Sequence, residues 1–321
     1  MLHLCLCVCC LCSDFRFIIA HLRLSYYNEN GIQGGFELKT KIIVLLGVLF
    51  VSFGAILVKL SSAPSLIIAT YRLAFSTFLL MPVVLKNNRE EIRSIDSKSL
   101  ILSIISGVFL ALHFATWITS IQYTSITSST LLVNTHPIFI VLGSIFILKE
   151  RISKKSIIYI SIAFVGSIVI SFGDSSLGSN ILYGDLLAIA GGFFVACYMM
   201  IGRVARKKLS VNAYTFIVYS CCTLTLLLMD FATGTPLFPY GPKEWAIFLG
   251  LAVFCTLMGH SVFNWALAHL SPTYVSTAVL GEPVFATIWA ILIFGQLPTV
   301  WQISGGAIIL VGIALFVRQK E

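Results

Sequence analysis

Charge is what this sequence has least of. Only 11% of its 321 residues are Asp, Glu, Lys or Arg, where a soluble globular chain carries roughly a quarter. So few charges cannot coat a surface that faces water, and lipid must solvate most of the chain. A metal-binding cysteine framework is missing too. Cys5, Cys7, Cys9, Cys10 and Cys12 crowd the start and Cys197, Cys221, Cys222 and Cys255 sit in apolar runs, and the crowded, overlapping spacing of the first group matches no tetrahedral zinc pattern of two separate C-x-x-C pairs. No H-E-x-x-H, G-x-S-x-G or pair of intramembrane aspartates occurs, and no glycine-rich nucleotide loop. These gaps leave no expected metal or cofactor and give little footing to a membrane-embedded enzyme acting on a lipid or small polar substrate, the alternative reading. The net charge of +8 comes without a basic groove of interleaved aromatics, so nucleic acid is not an expected partner.

What the sequence has in abundance is apolar length. Hydrophobic residues make up 58% of it and the mean hydropathy is +0.97. In a bilayer each backbone amide needs an internal partner, which a helix supplies locally. A β-barrel would show short alternating segments instead. A helical span takes about 20 apolar residues, and ten such runs are found, near 42–60, 65–85, 99–121, 126–148, 156–173, 181–202, 211–231, 244–268, 273–294 and 301–318. The fold class expected is therefore an all-α membrane protein of ten transmembrane helices. Residues 1–38 read as an unstructured or spurious tail, because the run Leu2–Cys12 is too short to span and lacks a basic leader.

Basic residues set the orientation. Lys86, Arg89, Arg93 and Lys98 follow span 2, Lys149, Arg151, Lys154 and Lys155 follow span 4, and Arg203, Arg206, Lys207 and Lys208 follow span 6. The loops after spans 3, 5 and 9 hold no Lys or Arg, and the loop after span 7 only Lys243. Both termini are expected in the cytoplasm, in a multi-pass protein of the cytoplasmic (inner) membrane.

Shifting the sequence by about 146 residues lays one half on the other. His136-Pro137-Ile138-Phe139 falls on Glu282-Pro283-Val284-Phe285, Ser125 on Ser271, Val165 on Val311 and Gly166 on Gly312. Repeats of five spans each, at 39–174 and 181–318, must lie upside down relative to one another. Such inverted halves give a route to alternating access around a central site.

In that frame the chain resembles the drug/metabolite transporter (DMT) superfamily, in particular the EamA family of two tandem five-helix domains. The resemblance covers about 42–317 and rests on an ordered set: Lys59, Ala69-Thr70-Tyr71-Arg72, Ile121-Gln122-Tyr123-Thr124-Ser125, Pro137, Leu148-Lys149-Glu150-Arg151, Tyr183-Gly184-Asp185-Leu186-Leu187, Glu282-Pro283 and Gly305-Gly306 through Gly312. Two positions depart from the pattern. Gln296 stands where a second acidic residue matching Glu150 is common, and span 7 has no counterpart of Arg72. The resemblance implies secondary transport of small metabolites, with amino acids, related compounds and drugs among the candidate cargoes. Proton coupling or exchange would drive it, with efflux the favoured direction. Small-residue faces such as Gly305-Gly306 suit packing within one chain or in a homodimer.

Ionisable groups inside spans are costly in lipid and turn toward an interior. Glu282, directly before Pro283, is the leading candidate for binding a proton or a cationic group, with a fixed hydrogen bond at the proline break as the plainer reading. His136 stands at the matching position before Pro137, so the two could form a proton relay or each be a satisfied buried group. Arg72 could hold a carboxylate or phosphate, or lock two helices together. Lys59, nearer a span end, could reach the interface. His113 with Trp117 and His260 with Asn264 are each one helical turn apart and share a face. Asn134 and Trp265 complete the set of candidate translocation residues, although an aromatic on a membrane helix is more often packing.

Overall fold

The computed structural model describes residues 33–124, 126–149, 151–171, 181–295, 297 and 299–318. Ser125, Glu150, Gln296 and most of the expected tail lie outside them. The chain divides into two units, residues 1–43 and 44–321. Of the first, only the start of the opening helix is described, and that helix begins at Gln33, inside the stretch expected as tail.

All regular structure among the described residues is helical. The elements are α1 (Gln33–Val51), α2 (Phe53–Leu60), α3 (Ser65–Asn87), the short α4 (Arg89–Arg93) and α5 (Ser97–Tyr123). After them come α6 (Ile126–Val133), α7 (His136–Gly143) with a wide π turn at Ser144–Leu148, and α8 (Lys154–Ser171). The rest are α9 (Ile181–Ala205), α10 (Val211–Thr233), α11 (Pro242–Gly250), α12 (Ser261–Ala266), α13 (Pro272–Val279), α14 (Glu282–Phe294) and α15 (Val300–Arg318). A π-type stretch, Leu251–His260, joins α11 to α12 without a break in the rod. Hydroxyls cap several starts: Ser210 accepts from Ala213 N and Ser271 from Tyr274 N, the role that favours serine there.

Seven helical stretches among the described residues are long and apolar enough to cross a membrane, at Lys39–Leu60, Ser65–Asn87, Ser97–Tyr123, Leu182–Ala205, Val211–Thr233, Pro242–Ala266 and Pro272–Ile293. They coincide with seven of the ten expected spans. Of the other three, one differs in form. The run expected at 126–148 is broken, with Asn134 and Thr135 in a turn between α6 and α7. Spans 5 and 10 are the continuous helices α8, of 18 residues, and α15, of 19, at the expected positions among the described residues.

Both proline sites interrupt their helices in the same way. Pro137 and Pro283 each occupy the second residue of a new helix, α7 or α14, where the missing N–H costs nothing. Around the first, Thr135 N donates to Leu132 O at 3.2 Å and Ile138 N to Thr135 O at 2.9 Å. Around the second, Gly281 N donates to Ala278 O at 3.0 Å and Val284 N to Gly281 O at 3.1 Å. The i→i−4 ladder is replaced by i→i−3 bonds at four positions that the 146-residue shift superimposes.

The glycine pair named by that shift meets at one helix crossing, between α8 and α15. A β-carbon on Gly166 would lie 2.7 Å from the Gly305 carbonyl and 2.8 Å from Ile309 N, and one on Gly312 would lie 2.6 Å from Ala163 N. Ile309 is Ala163 shifted by 146, so the two contacts are reciprocal. Only glycine permits this approach of the two backbones.

Candidate functional site

A narrow cavity of about 60 Å³ sits inside the bundle, with room for a few waters. Eight of the ten side chains predicted for translocation line it: Arg72 from α3, His113 and Trp117 from α5, Asn134 at the first break, His136 from α7, His260 from the wide stretch, Asn264 from α12 and Glu282 from α14. The one-turn spacings of 113/117 and 260/264 bring both pairs to the same space. Apolar walls such as Val133, Val195 and Phe263 fill the remainder.

Aromatic contact and hydrogen bonds fix the polar groups. Arg72 Nε donates to Thr256 Oγ1 at 2.8 Å, and its guanidinium carbon lies 4.3 Å from the centroid of the Phe114 ring, a cation–π contact. His260 packs against the same ring in a T-shaped contact, with centroids 5.4 Å apart. The rings of His113 and Trp117 stack at 6.0 Å. His113 Nδ1 donates to Gly191 O at 3.0 Å and His136 Nδ1 to Val133 O at 3.2 Å. With the proton on Nδ1, each imidazole presents Nε2 as an acceptor. Tyr198 donates its hydroxyl to Asn264 Oδ1 at 2.8 Å. Arg72 is the one permanent cation and Glu282 the one carboxylate among the described lining residues, in surroundings where charges interact strongly.

Two predicted residues are not brought to the cavity. Lys59 is exposed on α2, and Trp265 is half-buried with its ring 5.0 Å from His269. Lys59 occupies an outward position of the turn that buries Ile56 and Val58, and Trp265 follows Asn264 by one residue, about 100° around the helix. Sequence reading overlooked Phe114, Tyr198 and Thr256. A polar aromatic in the otherwise apolar Val195–Gly202 run was a readable signal for Tyr198; Thr256 is known only through its long-range partner.

Two carboxylates at the helix ends also went unnoticed. Glu244, at the start of α11, accepts from the Ser61 hydroxyl and, at 3.0 and 2.9 Å, from the N–H and hydroxyl of Ser62. Glu91, on α4, accepts from Ser210 N and Ser210 Oγ at 2.6 Å each and from Asn88 Nδ2 at 2.8 Å. Burial pushes the Glu91 pKa up, but the Ser210 and Asn88 hydrogen bonds and the Arg206 charge outweigh it and hold it below its ordinary 4.5. Beside it, Lys208 approaches Asp96 at 3.6 Å. Each clasp ties an end of the first sequence half to the second.

A bundle of apolar helices around a buried polar cavity is a multi-pass membrane protein. Its sequence matches the model of the EamA-like transporter family twice in tandem, over residues 38–172 and 182–318, and the chain belongs to that family. It is 26% identical over 289 residues to an uncharacterized transporter of Archaeoglobus fulgidus, covering 88% of this chain and 99% of the other. It is 25% identical over 272 residues to the pseudopaline exporter CntI of Pseudomonas aeruginosa, covering 83% and 91%. A solved crystal structure at 15% identity shares the fold with a TM-score of 0.71, over 86% of this chain and 96% of that one. The relatives are named transporters, which sets the class of this chain as a membrane transporter.

Proposed function

We propose that the chain is a secondary transporter that moves small metabolites by alternating access around the Arg72–Glu282 cavity. One observation carries the reading. Five ionisable side chains from both sequence halves, Arg72, His113 and His136 from the first and His260 and Glu282 from the second, line a single cavity in an apolar bundle. Lipid makes such groups costly wherever they are not used. In this conformation the cavity holds only a few waters, so its walls must part to admit a metabolite. The twin proline breaks are where the helices can flex.

The architecture proposed is ten spans in two inverted repeats, 39–174 and 181–318, with both termini in the cytoplasm of a cytoplasmic membrane. Helix α8, at about 27 Å, comes close to the roughly 30 Å of hydrocarbon. The reciprocal contacts of Gly166 and Gly312 are what a two-fold relation between halves requires. In this topology the Glu91 clasp faces the cytoplasm and the Glu244 clasp the opposite side. Transport runs by proton coupling or exchange, with His136 and Glu282 as the titrating pair and efflux as the favoured direction. Of the export named for CntI, only the direction is carried into this reading.

The test compares wild type with Glu282→Gln at equal abundance in transporter-poor cells, with intracellular and medium metabolites measured by mass spectrometry. A metabolite redistributed by wild type and not by the variant is the expected result. Equal redistribution by both removes Glu282 from the mechanism, and no redistribution across varied media sinks the transport reading.

A further inference from the structure

A second carboxylate, Asp230, is buried inside the bundle away from the cavity lining. It sits on α10 one turn before the helix ends at Thr233, within the apolar stretch Val211–Thr233, and is 0% exposed. Thr70 donates its hydroxyl to Asp230 Oδ2 at 2.6 Å. Oδ1 has no hydrogen-bond partner among the described residues, and Asp230 belongs to none of the ion pairs among them.

The donors around it are engaged elsewhere. Tyr71, next to Thr70 on α3, and Tyr240, in the segment leading to α11, are the titratable groups near enough to feel its charge. Tyr71 donates to Leu237 O at 2.8 Å and Tyr240 to Pro236 O at 2.5 Å. Trp245 Nε1 donates to Tyr240 O at 3.0 Å. Arg72 lies two residues beyond Thr70, about 200° around α3, and engages Thr256. His113 on α5 is turned to Gly191 O, and Glu244 on α11 to Ser61 and Ser62.

A carboxylate so placed is costly while it is charged, and such a group neutralises rather than stay bare. A proton does this with the atoms present. It comes from water, forms an O–H bond at Oδ1 and leaves Oδ2 as the acceptor for Thr70. A metal ion would need several more oxygens. The 146-residue shift lays Asp230 on Val84, itself fully buried, so the repeat carries this carboxyl in one half only.

We propose that Asp230 is a proton-binding site, distinct from Glu282, near the end of the bundle that faces away from the cytoplasm. Its side rests on the proposed topology and its purpose on the transport reading, while the bound proton is measured without either.

Infrared spectra of the purified full chain in detergent at pH 7 report protonated carboxyls through their C=O stretch. Asp230→Asn should lose one such band that Glu282→Gln keeps. Thr70→Val, which keeps the shape and removes the bond to Oδ2, should move that band to higher frequency, and it serves alone if the Asn variant folds poorly. Melting gives a second readout. A folded state that holds a proton which the unfolded chain releases loses stability as pH rises. Asp230→Asn should therefore gain on wild type as pH rises from 4 to 8. No band lost from Asp230→Asn, no band moved by Thr70→Val, or an Asn variant whose deficit grows with pH overturns the site. So does a band that sodium chloride removes at constant pH. Flux in proteoliposomes is read separately: the band without flux of any metabolite upholds the proton site and sinks transport, and flux without the band does the reverse.

Discussion

The Nε–H of Arg72 donates to the hydroxyl of Thr256 at 2.8 Å, across 184 residues of sequence. Helix α3 and the wide stretch Leu251–His260 are thereby joined at the cavity. Arg72→Lys keeps the charge but loses the planar fork, the Thr256 bond and the stacking on Phe114. We expect it to cost about 1–3 kcal/mol of stability and at least tenfold in transport. A melting curve and an uptake assay on the same preparation check this. Thr256→Val should reproduce most of the stability loss, and a Thr256→Val protein as stable as wild type would remove the bond from the account.

The Glu91 clasp gives a pH signature. Its pKa is held below the ordinary 4.5 in the folded chain, so the contribution is fully present above 4.5 and is lost as pH falls through the depressed value. Glu91→Gln is expected to melt a few degrees lower than wild type at pH 7, and the gap should narrow and close as pH falls below 4.5 through the depressed pKa. Melting temperatures of both proteins from pH 3 to 8, taken in one detergent, measure it. A gap independent of pH would assign the loss to packing.

Glu244 gathers three donors from Ser61 and Ser62. Glu244→Ala strands them at the end of α2, and about 1–2 kcal/mol of destabilisation follows because the site is partly solvated. Amide hydrogen exchange at residues 61–63 should rise with it. Unchanged exchange there would mean that the loop is held by other contacts.

Gly166 and Gly312 should behave as equivalents. Leucine at either position drives a side chain into the facing backbone of the α8–α15 crossing, at about 1–3 kcal/mol. Thermal stability of Gly166→Leu and Gly312→Leu should fall by similar amounts. A large difference would argue against a two-fold relation at this crossing.

What the sequence disclosed follows from physics that acts locally. Long apolar runs report lipid, and residues one turn apart report a shared face, so His113 with Trp117 and His260 with Asn264 were legible before any coordinates. His136-Pro137 and Glu282-Pro283 were legible as a repeated break, because proline constrains the backbone whatever surrounds it. Which face of a helix turns inward is decided by its neighbours. For that reason Lys59 and Trp265, both counted among the candidate translocation residues, lie elsewhere: Lys59 is exposed near its span end, and Trp265 is packed beside His269. Thr256 and Tyr198 resembled any span residue until Arg72 and Asn264 were seen to need them. The form of span 4 escaped for a related reason: hydropathy counts apolar residues and does not register a turn such as Asn134-Thr135.

The π-type stretch Leu251–His260 makes this part of the chain sensitive to residue count as well as residue type. An α-helix turns about 100° per residue, and the wider winding absorbs the phase of an extra one. Delete a single residue between Leu251 and Thr256 and the segment can rewind as ordinary helix, yet Thr256 and His260 can no longer both keep their present azimuth. Arg72 would lose its acceptor while every cavity residue was still in the sequence. Comparisons among relatives should therefore score length here before identity, and engineered chimaeras should place their junctions elsewhere.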